Sequence, residues 1–590
     1  MHADAVVDMP GIGDGTSFGQ QLEETVAAAL AAVAAVAVAP SPPSPPSPHR
    51  RSLAIVASNA ATMADARATN ITVVAIYLVA TIGSALFLAR RKRTSSPEEY
   101  FLAGRRLPAW QLGISLISTA MSSVTYLAYP ATSFSTNWLL LNKDFSLPLV
   151  CLAAALWALP FYRARVRGFS VFELVEERFN VGCRLYCSGV YCLLQLARTC
   201  TVLYLVGFPL STLTTLPHSV VVVASGVLIG LYTIVGGLTA VVLTDVVQGA
   251  TLVCGGALTL GCVASLVPGG LRGIIDEALA ADKLSLTVDM SDAGRSPPLL
   301  WLFGASSYLL VGFLYNDTVQ RYLAARSTRD ARIALGLMGA LSLPIWCFFL
   351  MLGTALWAYA ALPEGAALLA DTEPDAVVTT FALEALPAGV GGLVLAGVLA
   401  AAMSSLDSSL NSVAGVVTTD WYQRLYWRGA PLGDAQLQRA GRAASLAMTA
   451  LSVVGALGLR SVPKEGMNDL YNGLMSVTGG AGGGLMVLTV MTTSTREQVS
   501  DGDGGPARWH TPTIDARTAV VGIAASSVAA LVAALCSFGA FGDGCALSYY
   551  FLLPLSNLAF VTTVGACVGA RRARARLRGA APAVELMAGT

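Results

Sequence analysis

Charge is what this chain lacks. Only 12% of its 590 residues are Asp, Glu, Lys or Arg, while 55% are hydrophobic. Soluble proteins carry about 25% charged residues, so this balance excludes an ordinary soluble globule. The formal net charge is +1 and the basic residues sit in a few short loops. No basic domain is available to bind nucleic acid. Histidine is scarce as well: His2, His49, His218 and His510 lie outside the apolar runs or at their edges. With no carboxylate dyad beside them, an acid–base catalytic centre is not expected, and the chain does not read as an enzyme. The eleven cysteines show no metal-ligand spacing, and most sit in apolar runs (Cys151, Cys187, Cys192, Cys254, Cys262), where thiols act as small hydrophobes. Cys536 and Cys545 flank an apparent external turn and form the one candidate pair.

What the chain has in quantity is apolar runs of about twenty residues, each long enough to cross a bilayer as a helix. Thirteen spans are expected, centred near residues 80, 122, 153, 198, 227, 252, 310, 345, 395, 450, 480, 528 and 558. Alternate loops then carry the positive charge: "RRKRTSSPEEYFLAGRR", "YRARVRG", "RYLAARSTRDAR", "YQRLYWRG" and "RRARARLR". All five fall on one side, which the positive-inside rule makes cytoplasmic, with the N-terminus outside and the C-terminus inside. An integral protein of the plasma membrane is expected.

Residues 1–70 differ from the rest. An alanine-rich run at about 25–39 precedes "PSPPSPPSPHRR", a tract that favours an extended linker. No basic residue precedes the alanine run, so a disordered extension is preferred over a signal peptide. Asn70 in "NIT" is a glycosylation sequon too close to the first span to be used. The expected organisation is the extension 1–70, a leading helix 71–95, a core 97–495, a cytoplasmic loop 496–515, two more helices 516–572 and a tail 573–590.

Three spans are too polar for simple lipid-facing helices. The second, "LGISLISTAMSSVTYLAYPATSF", is crowded with hydroxyls and holds Pro130. The seventh, "YLLVGFLYNDTVQRYLAAR", carries Asn316, Asp317 and Gln320. The ninth, "LAGVLAAAMSSLDSSLNSVAG", holds five serines, an asparagine and Asp407. Broken helices are tolerated at membrane depth where freed backbone groups face protein or a wet cavity. Two such helices five spans apart fit inverted repeats that each begin with a discontinuous helix. In the ninth span Ser404 and Ser405 follow Ala401 by three and four residues, so their hydroxyls share a face with its carbonyl. Asp407 and Ser408 extend that face by a turn. Oxygens so spaced suit a small hard cation. Asp245, in "GLYTIVGGLTAVVLTDVVQG", has no partner within its own span. Arg198, centred in "LLQLARTCTVLYLVG", is a site candidate by default; its fork suits a carboxylate on Asp144, on Asp407 or on a bound solute.

The stretches "PEEYFLAGRRLPAWQLGISLISTAMSS", "GLYTIVGGLTAVVLTDVVQGATLV", "VQRYLAARSTRDA" and "LAAAMSSLDSSLNSVAGVVTTDWYQ" resemble, in order, hallmarks of the sodium–solute symporters. The resemblance covers residues 97–430 and runs more loosely to 570. It implies an all-α membrane protein with a LeuT-like core of two inverted five-helix repeats and flanking helices. It also implies a main sodium site on the carbonyls of Ser118, Met121 and Ala401 and the hydroxyls of Ser404 and Ser405. A second sodium site falls on Asp245 with the next turn of the ninth span, Asp407 and Ser408. Relatives tend to have serine or threonine where Asp407 stands, which leaves that site's stoichiometry and proton sensitivity open. The sialic-acid branch resembles this chain around "QLARTCTVLYL" and "SSVTYLAYPATSFSTNW"; it implies that Arg198 binds a solute carboxylate and that Ser122 and Thr125 contact the solute, with Asp144 a further candidate. Phe313 or Tyr315 is the expected inner lid.

The expected function is sodium-coupled symport of a small organic solute by alternating access, with a carboxylate-bearing solute such as a sugar acid in view. Sodium, solute and lipid are the expected partners. A symporter for a neutral sugar or an amino acid is the alternative solute reading. A transporter-derived sensor or a sodium leak are the other classes; a sensor would want a soluble domain larger than the roughly 70 residues available. Asp407 has two readings: it lies beside a cation, or it pairs with Arg198.

Overall fold

The computed structural model describes residues 48–91, 96–287, 296–428, 432–461, 482–490, 516–537 and 552–580. Among them every regular element is helical, apart from one isolated bridge between Leu107 and Ala325. Nine of these helices are long and apolar enough to cross a membrane, or ten with one bent pair counted as a span. In chain order they are α1 (Pro48–Arg91), the pair α2 (Ala109–Ala120) and α3 (Ser123–Ser135), α4 (Leu141–Arg165), α5 (Val181–Thr214) and α6 (His218–Leu266). Then follow α7 (Pro297–Leu314) with the short α8 (Asn316–Ala324), α9 (Thr328–Ala360), α10 (Val390–Tyr426), α11 (Asp434–Gly458) and α13 (Leu552–Ala580), while α12 (Ala516–Ser537), which precedes α13, has too short an apolar stretch to be counted with them. The apolar window of α10 is 89% buried against 28% for α1, so the serine-rich helix is the centre of the bundle and α1 its lipid-facing flank.

α1 starts at Pro48, so the helix runs through the boundary expected at residue 70. Asn70 is buried within it, and its side-chain oxygen accepts the N–H groups of Gly389 (2.7 Å) and Gly392 (2.8 Å) where α10 begins. Those are among the donors a helix start leaves unpaired, and an amide so engaged is not presented to a glycan. The expected loop 496–515, most of the span near 480 and Cys545 lie outside the described residues.

The spans expected near 227 and 252 are the two halves of α6, which breaks at Gly237 (φ 59°, ψ −170°). A Cβ there would stand 2.7 Å from the Tyr100 carbonyl. The short helix Pro97–Leu102 fills the notch, and the Tyr100 hydroxyl donates to the Ile234 carbonyl at 3.0 Å. Much of the "PEEYFLAG" motif is thus a plug: Tyr100, Phe101 and Leu102 are fully buried. Gly237→Ala is expected to lower stability by about 1–3 kcal/mol, since it adds both left-handed strain and a clash; thermal melting in detergent checks it.

Four of the five basic loops meet at one end of the bundle. Leu107 donates its N–H to the Ala324 carbonyl and accepts from Arg326, while Arg163 donates to the carbonyls of Tyr322 and Ala325. Nearby, Arg184 pairs with Asp420 and Glu176, and Glu176 also pairs with Arg424. The Arg424 hydrogen bond, with help from Arg184, outweighs the opposing effect of burial and holds the Glu176 carboxyl below its ordinary range. At the opposite end Lys283 donates to the carbonyls of Phe134 (2.8 Å) and Thr136 (2.7 Å), capping α3 with a cation where a helix C-terminus favours one. Burial pushes the Lys283 ammonium below its ordinary value.

Candidate ion and solute site

The chain changes direction by 57° between α2 and α3. Met121 (ψ 118°) and Ser122 (ψ 178°) are extended, so the last carbonyls of α2 lose their helical donors. Restart of the helix is local chemistry, with the Ser122 N–H donating to Thr125 Oγ1 at 3.3 Å. α10 crosses this break. The Ser405 hydroxyl lies 3.3 Å from the Thr119 carbonyl and 3.5 Å from that of Met121. Ser118 and Ala401 are buried beside them at 1% exposure. Ser118 donates from Oγ to the Asp245 carbonyl (3.0 Å), and a Cβ on Gly249 would collide with that Oγ. The site sits where α2, α6 and α10 approach closely.

Asp245 has a partner the sequence reading did not assign. Arg321, on α8, is a fully buried side chain whose guanidinium reaches Asp245 Oδ2 at 2.9 Å. It also donates to Ser115 Oγ (2.8 Å), Thr119 Oγ1 (2.7 Å), Ser408 Oγ (2.6 Å) and the Asp317 carbonyl (2.9 Å). The Asp245 carboxylate accepts in addition from Ser115 and from Ser404, the latter at 2.7 Å. One arginine therefore ties both discontinuous helices to α6 and α10. From the sequence Arg321 counted as a basic loop residue. Its position four residues after Asp317, inside a polar interruption of an apolar run, was the available signal.

Arg198 lies beside the same break. Its guanidinium donates to the Thr119 carbonyl at 2.5 Å and to Ser405 Oγ at 3.5 Å, and stands 3.8 Å from Asp317 Oδ2. The carboxylate beside Arg198 is thus Asp317, rather than Asp144 or Asp407. Asp144 is fully buried near the opposite end, accepting from Tyr129 (2.7 Å), Tyr308 (2.5 Å) and Lys143 (2.9 Å). It is not brought to the break. Asp407 reaches the first half of α6, accepting from the Tyr232 hydroxyl at 2.7 Å. Pairing of Asp407 with Arg198 is therefore not what the fold provides. Ser408 links Asp407 Oδ1 (3.4 Å) to Arg321 and to Thr119 Oγ1 (3.0 Å).

The second break falls at Tyr315 (ψ 106°), after a π-helical turn over Leu310–Leu314. Phe313 and Tyr315 are both buried there; the Phe313 carbonyl accepts from Tyr162, and the Tyr315 ring packs edge-on against Tyr191 with centroids 6.0 Å apart.

A membrane helix bundle with two discontinuous helices around a buried, oxygen-rich crossing is the architecture of a secondary transporter. The chain belongs to the sodium:solute symporter family, whose model matches residues 100–498. It is 29% identical over 425 residues to the sodium/sialic acid symporter NanT of Aliivibrio fischeri, covering 70% of this chain and 81% of that one. To the sodium/glucose cotransporter of Vibrio parahaemolyticus it is 30% identical over 399 residues, covering 64% and 72%. Among solved structures, a substrate-bound, outward-open Na+-coupled sialic acid symporter superposes with a TM-score of 0.73 at 25% identity, covering 85% of this chain and 98% of that one. The fold is the expected LeuT-like one, and sodium is the coupling ion. The chain is a transporter, not an enzyme.

Proposed function

We propose that this protein carries an anionic sugar acid of the sialic-acid type across the plasma membrane together with sodium, by alternating access. The observation that carries the reading is the position of Arg198, whose guanidinium stands on the Thr119 carbonyl and the Ser405 hydroxyl at the helix break. A solute held by that fork would lie against Ser122 and Thr125, the first turn of α3, and beside the cation position. Sodium would bind the carbonyls of Ser118, Met121 and Ala401 and the hydroxyls of Ser404 and Ser405. Asp245, with Ser408 and Asp407 one turn on, is the candidate for a second ion. Similarity to two sodium/sialic acid symporters supports the solute class. Phe313 and Tyr315, at the second break, would close the inner path. The basic end of the bundle would face the cytoplasm, placing the N-terminus outside and the C-terminus inside.

Arg198→Lys tests the solute. Lysine keeps the charge but loses the two-pronged geometry. Uptake of N-acetylneuraminate is expected to fall by roughly 10–100-fold. Equal loss for N-acetylneuraminate and for a neutral sugar that the parent carries would contradict recognition of a carboxylate.

A further inference from the structure

Arg198 touches three parts of the machinery at once: the freed Thr119 carbonyl, the Ser405 hydroxyl and the Asp317 carboxylate. One of these partners, Ser405, belongs to the cation position, and the Thr119 carbonyl lies at the same helix break, 3.3 Å from the Ser405 hydroxyl. A sodium ion held through Ser405 would therefore stand one hydroxyl away from a guanidinium, and like charges at that spacing in a dry interior repel. We propose that Asp317 is the counter-anion that holds the charge of Arg198 off the cation position, and that a solute carboxylate takes over this role on binding. One guanidinium then links ion to solute.

The geometry separates a fixed member from a movable one. Asp317 is locked: its Oδ1 accepts from Gln195 (3.0 Å) and Tyr191 (3.2 Å), its N–H donates to the Tyr191 hydroxyl (3.1 Å), and its carbonyl accepts from Arg321. Arg198 is the looser partner. Its side chain keeps 14% of its exposure against 2% for Asp317, and the 3.8 Å separation is longer than a charge-assisted hydrogen bond. A solute carboxylate can draw the fork away from Asp317 without disturbing the Tyr191–Gln195 cradle. The anion it adds offsets the arginine and strengthens sodium binding. By linkage, sodium strengthens solute binding by the same factor. When the solute leaves, Asp317 recovers the arginine.

The inference rests on the sodium ligands proposed above, and its test uses sodium alone. Sodium binding to the purified full-length protein is measured by calorimetry without solute, in choline-balanced buffer. Asp317→Asn keeps the acceptor for Tyr191 and Gln195 but removes the charge. It is expected to raise the sodium Kd by roughly 5–20-fold, and adding Arg198→Gln is expected to return the Kd towards the parent value. Arg198→Gln alone, which leaves Asp317 in place, is expected to tighten sodium. It serves as the readout if Asp317→Asn does not fold. A sodium Kd unchanged in either single variant, with a parental melting temperature in potassium, would overturn the inference. If those sodium shifts appear while the parent binds no N-acetylneuraminate, the solute reading fails and the charge link stands.

Discussion

Replacing Arg321 by methionine is expected to abolish uptake and to lower stability by about 3–5 kcal/mol, the range seen when one partner of a buried pair is removed. Asp245 would be left fully buried, with only hydroxyl donors from Ser115 and Ser404. Thr119 and Ser408 would lose the same donor. Lysine should not restore uptake, because the guanidinium serves acceptors on α2, α6, α8 and α10 at once, and an ammonium on a flexible stem cannot span them. Arg321→Met combined with Asp245→Asn should recover part of the stability and none of the transport. Thermal melting and sodium-driven uptake, read side by side, check both halves. A stable, fully active Arg321→Met carrier would show that the network is decoration.

Ser405→Ala should act on the ion with little effect on the fold. The hydroxyl lies 3.3 and 3.5 Å from two carbonyls at the α2–α3 break, so it belongs to the crossing itself. Losing one of about five oxygens from a hard cation is worth roughly 1–3 kcal/mol, or about a 5–150-fold weaker sodium Kd. Uptake titrated against sodium should shift to higher concentration by that factor, with the melting temperature in potassium close to the parent's. Unchanged sodium dependence would remove the ion from α10.

Much of this architecture was legible in the sequence because apolar length and loop charge are both local signals. The charge deficit gave the membrane, and the hydroxyl-rich second and ninth spans marked α2–α3 and α10. Ala401, Ser404 and Ser405 were grouped by helical spacing alone. What could not be read was which side chain each buried charge meets. Asp407 and Ser408 are adjacent in sequence, yet one faces Tyr232 on α6 and the other faces Arg321 on α8. Periodicity gives a face within one helix and nothing about the neighbour across it. Arg321 was masked by the basic residues that follow it, although it is buried and they line a loop. Asp144 and Arg198 are compatible as charges, but Lys143, Tyr129 and Tyr308 already satisfy the first.

The most direct test of the account is N-acetylneuraminate uptake into proteoliposomes, with an inward sodium gradient or with potassium at equal ionic strength. Accumulation above equilibrium is predicted only with the sodium gradient, abolished by a sodium ionophore, and saturable in both sodium and solute. Equal uptake in potassium, or sodium entry that proceeds undiminished without solute, would contradict coupled symport.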